Sequence, residues 1–102
     1  MGQKRTPEHL LSDLLAEFSS VADMNVQRRA SDDIRRLGMS RADALIVLRG
    51  LSSQQFDQSI SYDEDPARWY DVYKPVWKGT ELYVKFCRYD GSFLLCSFHE
   101  SF

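Results

Sequence analysis

A basic excess is missing from this chain. Thirteen Lys and Arg stand against fifteen Asp and Glu, a net charge of −2 over 102 residues, which excludes a protein that holds nucleic acid by bulk positive charge. Apolar runs are short, and none approaches the roughly 20 residues that a membrane-spanning helix needs. The start, Met1-Gly2-Gln3-Lys4-Arg5-Thr6-Pro7, lacks the apolar core of a secretory signal, so the expected location is the cytoplasm, with no membrane partner. Two cysteines, Cys87 and Cys96, are too few for a disulfide framework and too far apart in sequence for a chelating pair. They read as buried free thiols; a cross-strand disulfide is conceivable if their strands form a hairpin, although a reducing cytosol disfavours it. The two histidines are His9 and His99. His9 has Asp13, Glu17 and Asp23 nearby, but the spacing is loose for a metal site, and no metal or cofactor is expected. Phosphate-cradling loops and nucleophile elbows are also absent.

What is present divides into two halves. At 102 residues the chain is expected to form a single domain over its whole length, 1–102. In the first half, Thr6-Pro7 reads as a helix start, and Leu10, Leu11, Leu14, Leu15 and Phe18 recur at helical spacing, with an end near residues 19–22. A short extended piece is expected near residues 24–26. A second helix from Arg28 to Leu37 buries Ala30, Ile34 and Leu37 and closes on Gly38; its arginines point outward. Ser40 caps a third helix, with Asp43 in the place of a capping-box acid and Gly50 at its end.

From Phe56 onward the period changes to that of strands. Four are expected: Phe56 to Tyr62, Trp69 to Trp77, Thr80 to Tyr89 and Ser92 to Phe98. Lys78-Gly79 and Asp90-Gly91 are hairpin turns by composition, and an acidic loop, residues 63–66, separates the first two strands. The expected fold class is α+β, three N-terminal helices packed on one face of a largely antiparallel sheet of about four to six strands. The other sheet face is left free.

Aromatics and a few cations interleave on those strands, a combination suited to RNA through stacking and phosphate contact. The net charge requires any such site to be a local cluster, since residues 1–49 carry +1 and residues 50–102 carry −3. Alternation places Leu82, Val84 and Phe86 on one face of their strand and Tyr83, Lys85 and Cys87 on the other. For the strand holding Tyr70 and Tyr73, and for the last strand, parity leaves the buried face undecided. Metal-free RNA cleavage needs a base for the 2′-hydroxyl, a cation for the charged phosphorane and an acid for the leaving oxygen. Tyr83, Lys85, Lys74 and His99 are the available parts, and Tyr70 and Tyr73 are sheet tyrosines nearby. An unperturbed imidazole, with a pKa of about 6.5, suits proton transfer near neutrality.

Several runs, in order along nearly the whole chain, resemble the MqsR family, the toxins of bacterial type II toxin-antitoxin systems, whose fold is like that of RelE-type ribonucleases. They are Lys4-Arg5-Thr6-Pro7, Leu37-Gly38, Gly50-Leu51-Ser52 followed by Phe56, Trp69-x-Asp71-Val72-Tyr73-x-Pro75, Leu82-Tyr83-x-Lys85, and Ser97-Phe98. The run from Trp69 to Pro75 is the most specific. The resemblance implies a metal-independent mRNA endoribonuclease, acting with or without the ribosome and silenced by a cognate antitoxin. It also implies catalytic positions at Gln58, Tyr70, Tyr83 and His99, where the family pattern carries lysine, glutamine, tyrosine and lysine; Tyr83 alone matches. Lys74, Lys85 and Tyr73 are the expected RNA contacts. Two readings follow: a re-equipped ribonuclease in which His99 handles the proton and Lys74 or Lys85 the phosphorane, or a binding module that keeps its antitoxin contacts without catalysis.

Overall fold

The sheet begins at the N-terminus, before any helix. In the computed structural model, which describes residues 1–102, β1 (Gly2–Lys4) pairs antiparallel with β2 (Phe56–Tyr62), Gln3 opposite Ile60. This strand corrects the expected order of helices first and strands second. Gly2 permits the approach: a Cβ there would stand 2.5 Å from the Ser61 hydroxyl and 3.0 Å from the Trp69 ring.

The first helix also starts later than Thr6-Pro7 suggests. The backbone N–H groups of Glu8 and His9 donate to the buried carboxylate of Asp71, at 3.0 and 2.9 Å, which holds the chain in an irregular segment until α1 (Leu11–Glu17). Leu14 and Phe18 enter the core, while Leu10, placed by periodicity on the apolar stripe, precedes the helix and stays 67% exposed. α2 (Arg28–Arg36) buries Ala30 and Ile34 and gives way to Gly38 at φ 74°. α3 (Arg41–Arg49) carries the reciprocal capping box of Ser40 and Asp43. The extended piece near residues 24–26 is a single parallel bridge, Val26 to Leu95, held by Gln27 N–H to the Leu95 carbonyl at 2.9 Å and Leu95 N–H to the Asn25 carbonyl at 2.8 Å.

β2 matches its expected span. β3 (Asp65–Tyr73) begins earlier than expected, because only Asp63 and Glu64 form the turn. The single strand expected from Trp69 to Trp77 is broken at Lys74-Pro75, where proline has no N–H for the ladder. Beyond the break, β4 (Val76–Trp77) turns back through Lys78 (φ 48°) and Gly79 (φ 82°) into β5 (Thr80–Tyr89). A second such turn, Asp90 (φ 53°) and Gly91 (φ 82°), leads to β6 (Ser92–Glu100). Six antiparallel strands result, β1-β2-β3-β5 with β4 and β6 both on β5. The core lies between the helices and one sheet face, with Leu82, Val84, Phe86, Phe93, Leu95 and Phe98 from the last two strands.

One irregularity positions the rest. Lys85 faces Ser97 but Phe86 faces Leu95, so Cys96 is an extra residue, a β-bulge. Without it, alternation would send His99 to the same side as Phe93 and Leu95. With it, Phe98 joins the core and His99 emerges on the opposite face, directly across from Tyr83.

Candidate RNA interface

The open face is built by register. Gln58 lies opposite Val72, Val72 opposite Lys85, and Lys85 opposite Ser97, while Ile60 faces Tyr70 and Tyr83 faces His99. Side chains of directly paired residues share a face. Gln58, Tyr70, Tyr83, Lys85 and His99, five positions separated by up to 41 residues of chain, therefore occupy one surface.

At one end the rings of Tyr83 and His99 stack, centroids 5.0 Å apart and planes 10° from parallel, and Phe102 also stacks on His99, at 5.9 Å. His99 Nδ1 donates to the Glu100 carbonyl at 2.8 Å. A carbonyl oxygen only accepts, so Nδ1 carries the proton and Nε2 of the neutral ring is left with its lone pair. Burial pushes the Tyr83 phenol above its ordinary range, Lys85 partly offsets this, and Tyr62 and Asp57 add to it. Tyr83 is consequently a proton donor at neutral pH.

Lys85 stands at the centre. Its Nζ donates to the Tyr62 hydroxyl at 2.9 Å and lies 5.3 and 5.5 Å from the ring centroids of Tyr62 and Tyr70. Those two rings meet edge to face at 5.2 Å, and burial raises the Tyr70 phenol, with a hydrogen bond from Arg68 opposing it. No carboxylate pairs with Lys85. Its charge is held by a phenol and two ring faces, leaving it available to an anion.

The remaining expected residues sit differently. Gln58 accepts a hydrogen bond from the Gln3 side chain on β1. Lys74 lies past the end of β3, 3.8 Å from the Asp57 carboxylate. Tyr73 is the clear correction: it is 1% exposed, stacked on Phe86 at 5.8 Å and edge-on to Phe56 at 5.4 Å. Burial and the nearby Asp71 push its phenol up to about 12. Its ring belongs to the core and is not presented to RNA. The acids near His9 have other partners: Asp23 accepts from Ser19 and Ser20, Glu17 from the Phe93 N–H, and His9 packs edge-on against Phe93 at 5.5 Å.

Sequence reasoning passed over Tyr62 and Arg68 and read Arg29 only as part of an outward-pointing helix face. Together with Tyr70, Lys85 and the two thiols they line a cleft of about 610 Å³ that continues the open face away from His99. The thiols lie 3.8 Å apart, both free and both buried. Strand parity applied to Arg68, Tyr70 and Tyr62 gives the first signal of this cleft; Arg29 carries none, because the bridge from Val26 to Leu95 is what brings α2 beside the sheet.

A family model described as motility quorum-sensing regulator, toxin of MqsA, matches residues 6–100. No individual curated protein matches the chain significantly. The matched span runs from the segment anchored by Asp71 through His99 to the last residue of β6, and the chain belongs to the MqsR toxin family.

Proposed function

We propose that this toxin is a metal-independent mRNA endoribonuclease whose activity is neutralised by a cognate antitoxin. The observation that carries this reading is the bulge at Cys96, which sets His99 against Tyr83 on the open face, next in line to an uncompensated Lys85. His99 Nε2 takes the 2′-hydroxyl proton, and the 2′-oxygen attacks the adjacent phosphorus. The bond to the 5′-oxygen breaks, and that oxygen takes a proton from the Tyr83 phenol. Lys85 stabilises the negative charge of the phosphorane. The products are a 2′,3′-cyclic phosphate end and a 5′-hydroxyl end, so the electrons and protons balance without a redox step or a metal. RNA reaches this surface as a single strand, because stacking on tyrosine needs unpaired bases.

The alternative, a module that binds the antitoxin without cutting RNA, draws support from Gln58 and Lys74. Gln58 is a neutral amide tied to Gln3, and Lys74 is paired with Asp57, so neither position supplies a free cation. Digestion of a long mRNA in EDTA, with and without translating ribosomes, separates the two. The nuclease reading expects cleavage by the wild type and none by His99→Ala. Absence of cleavage in both settings overturns it and leaves the binding module.

A further inference from the structure

We propose that the cleft beside Lys85 binds the nucleotide flanking the scissile phosphate, taking its phosphate on Arg29 and Arg68 and its base against tyrosine rings. This rests on the reading of the open face as an RNA surface and extends it away from His99.

The cleft gathers three cations, Arg29, Arg68 and Lys85, against one carboxylate, Glu64, in a chain whose net charge is −2. This is the local cluster that an acidic RNA-binding protein requires. Neither Arg29 nor Lys85 belongs to an ion pair, and Arg68 reaches Asp65 only at 3.5 Å. Aromatic surface accompanies the charge: the Arg68 guanidinium lies 4.6 Å from the Tyr89 ring centroid, and Lys85 lies over Tyr62 and Tyr70. A volume of about 610 Å³ falls within the range of small-molecule sites and admits a nucleotide. Tyr83, Lys85, Cys87 and Tyr89 alternate along one side of β5, so the cleft and the stacked pair share one continuous strip. An acidic peptide would use the cations and leave the rings without a partner. A nucleotide uses both.

The test is equilibrium binding of a short fluorescein-labelled 2′-O-methyl RNA of mixed sequence, which cannot be cleaved through its 2′-oxygen, across a range of salt concentrations. Arg29→Ala should weaken affinity by about tenfold, as loss of a charge-assisted contact does. It should also lower the log–log salt slope by about 0.7, the value for one phosphate on a single strand. Arg29 is exposed and free of ion pairs, so the fold is retained. Tyr89→Ala should weaken binding by about 5- to 100-fold with the slope unchanged, the signature of lost stacking. Unchanged affinity in both variants overturns the proposal, as does an oligoglutamate peptide of equal length binding as tightly as the RNA. Wild-type mRNA cleavage reports separately on the nuclease: cleavage with unaltered variant affinities sinks the cleft alone, and altered affinities without cleavage sink the nuclease alone.

Discussion

The imidazole of His99 lies flat against the phenol ring of Tyr83, 5.0 Å between centroids, and does so because one residue, Cys96, is unpaired in the hairpin that joins them. A bulge that re-aims a side chain beside a reactive surface is a recurrent device. Here it converts a strand end that alternation would bury into half of a candidate proton-transfer pair. His99→Phe isolates the chemistry from the packing, since an aromatic ring of similar size keeps the stack. Cleavage should fall by about 100- to 10,000-fold, the usual contribution of a positioned acid or base, while the thermal midpoint stays within about 2 °C of wild type. Cleavage at the wild-type rate would remove His99 from the mechanism.

Asp71 is the anchor of the N-terminal segment. Its carboxylate is wholly buried and accepts from the N–H groups of Glu8 and His9, more than 60 residues away in sequence. Asp71→Ala leaves two donors without a partner, each costing about 1–3 kcal/mol. Urea unfolding should show a loss of about 2–4 kcal/mol, with the slope of the transition unaltered. A loss under about 0.5 kcal/mol would mean that water replaces the carboxylate freely.

These two relationships mark where sequence legibility ends. β2, β5 and both positive-φ turns follow from alternation and from Lys78-Gly79 and Asp90-Gly91, because local geometry decides them. The capping box of Ser40 and Asp43 is equally local. β1 is different: Gly-Gln-Lys has no strand preference, and its extended state comes from pairing with residues 59–61. The bulge is hidden because Phe93 through Phe98 is nearly continuous in apolar residues, so a slip of one position leaves no break in the pattern. Tyr73 illustrates the same limit, since a strand with aromatics on both parities does not declare its buried side. Of the surface, Tyr83 and Lys85 were legible by parity. Their neighbour Arg29 depends on a contact between segments distant in sequence, the bridge from Val26 to Leu95.

Cys87 and Cys96 lie 3.8 Å apart with exposures of 1% and 6%. The hydrogen bond between them lowers the Cys87 thiol and raises that of Cys96, with burial adding to the latter. Low exposure controls the observable, because an alkylating reagent must reach the sulfur. Both thiols should react with iodoacetamide at least about tenfold more slowly in the folded protein than in denaturant. Two unmodified cysteines by mass spectrometry after a native exposure, and two modified ones after unfolding, is the expected result. Rapid modification in the native state would show that the cleft floor opens readily.

Tyrosine ionisation tests the division between core and open face. The Tyr73 phenol is pushed up to about 12 by burial and Asp71, against about 10 in an unfolded chain. The folded state therefore holds this proton more tightly. The associated stability is fully present below pH ~10 and is lost as pH rises toward ~12. Tyr83 and Tyr70 are raised in the same direction by burial and reinforce the trend. Absorbance at the phenolate band should show part of the tyrosine signal appearing only together with alkaline unfolding. Tyr73→Phe removes the group and should move the unfolding midpoint to higher pH. If Tyr73→Phe leaves the alkaline midpoint where it is in the wild type, then the Tyr73 hydroxyl already ionises in the folded state, and the ring lies nearer to solvent than its packing on Phe86 and Phe56 indicates.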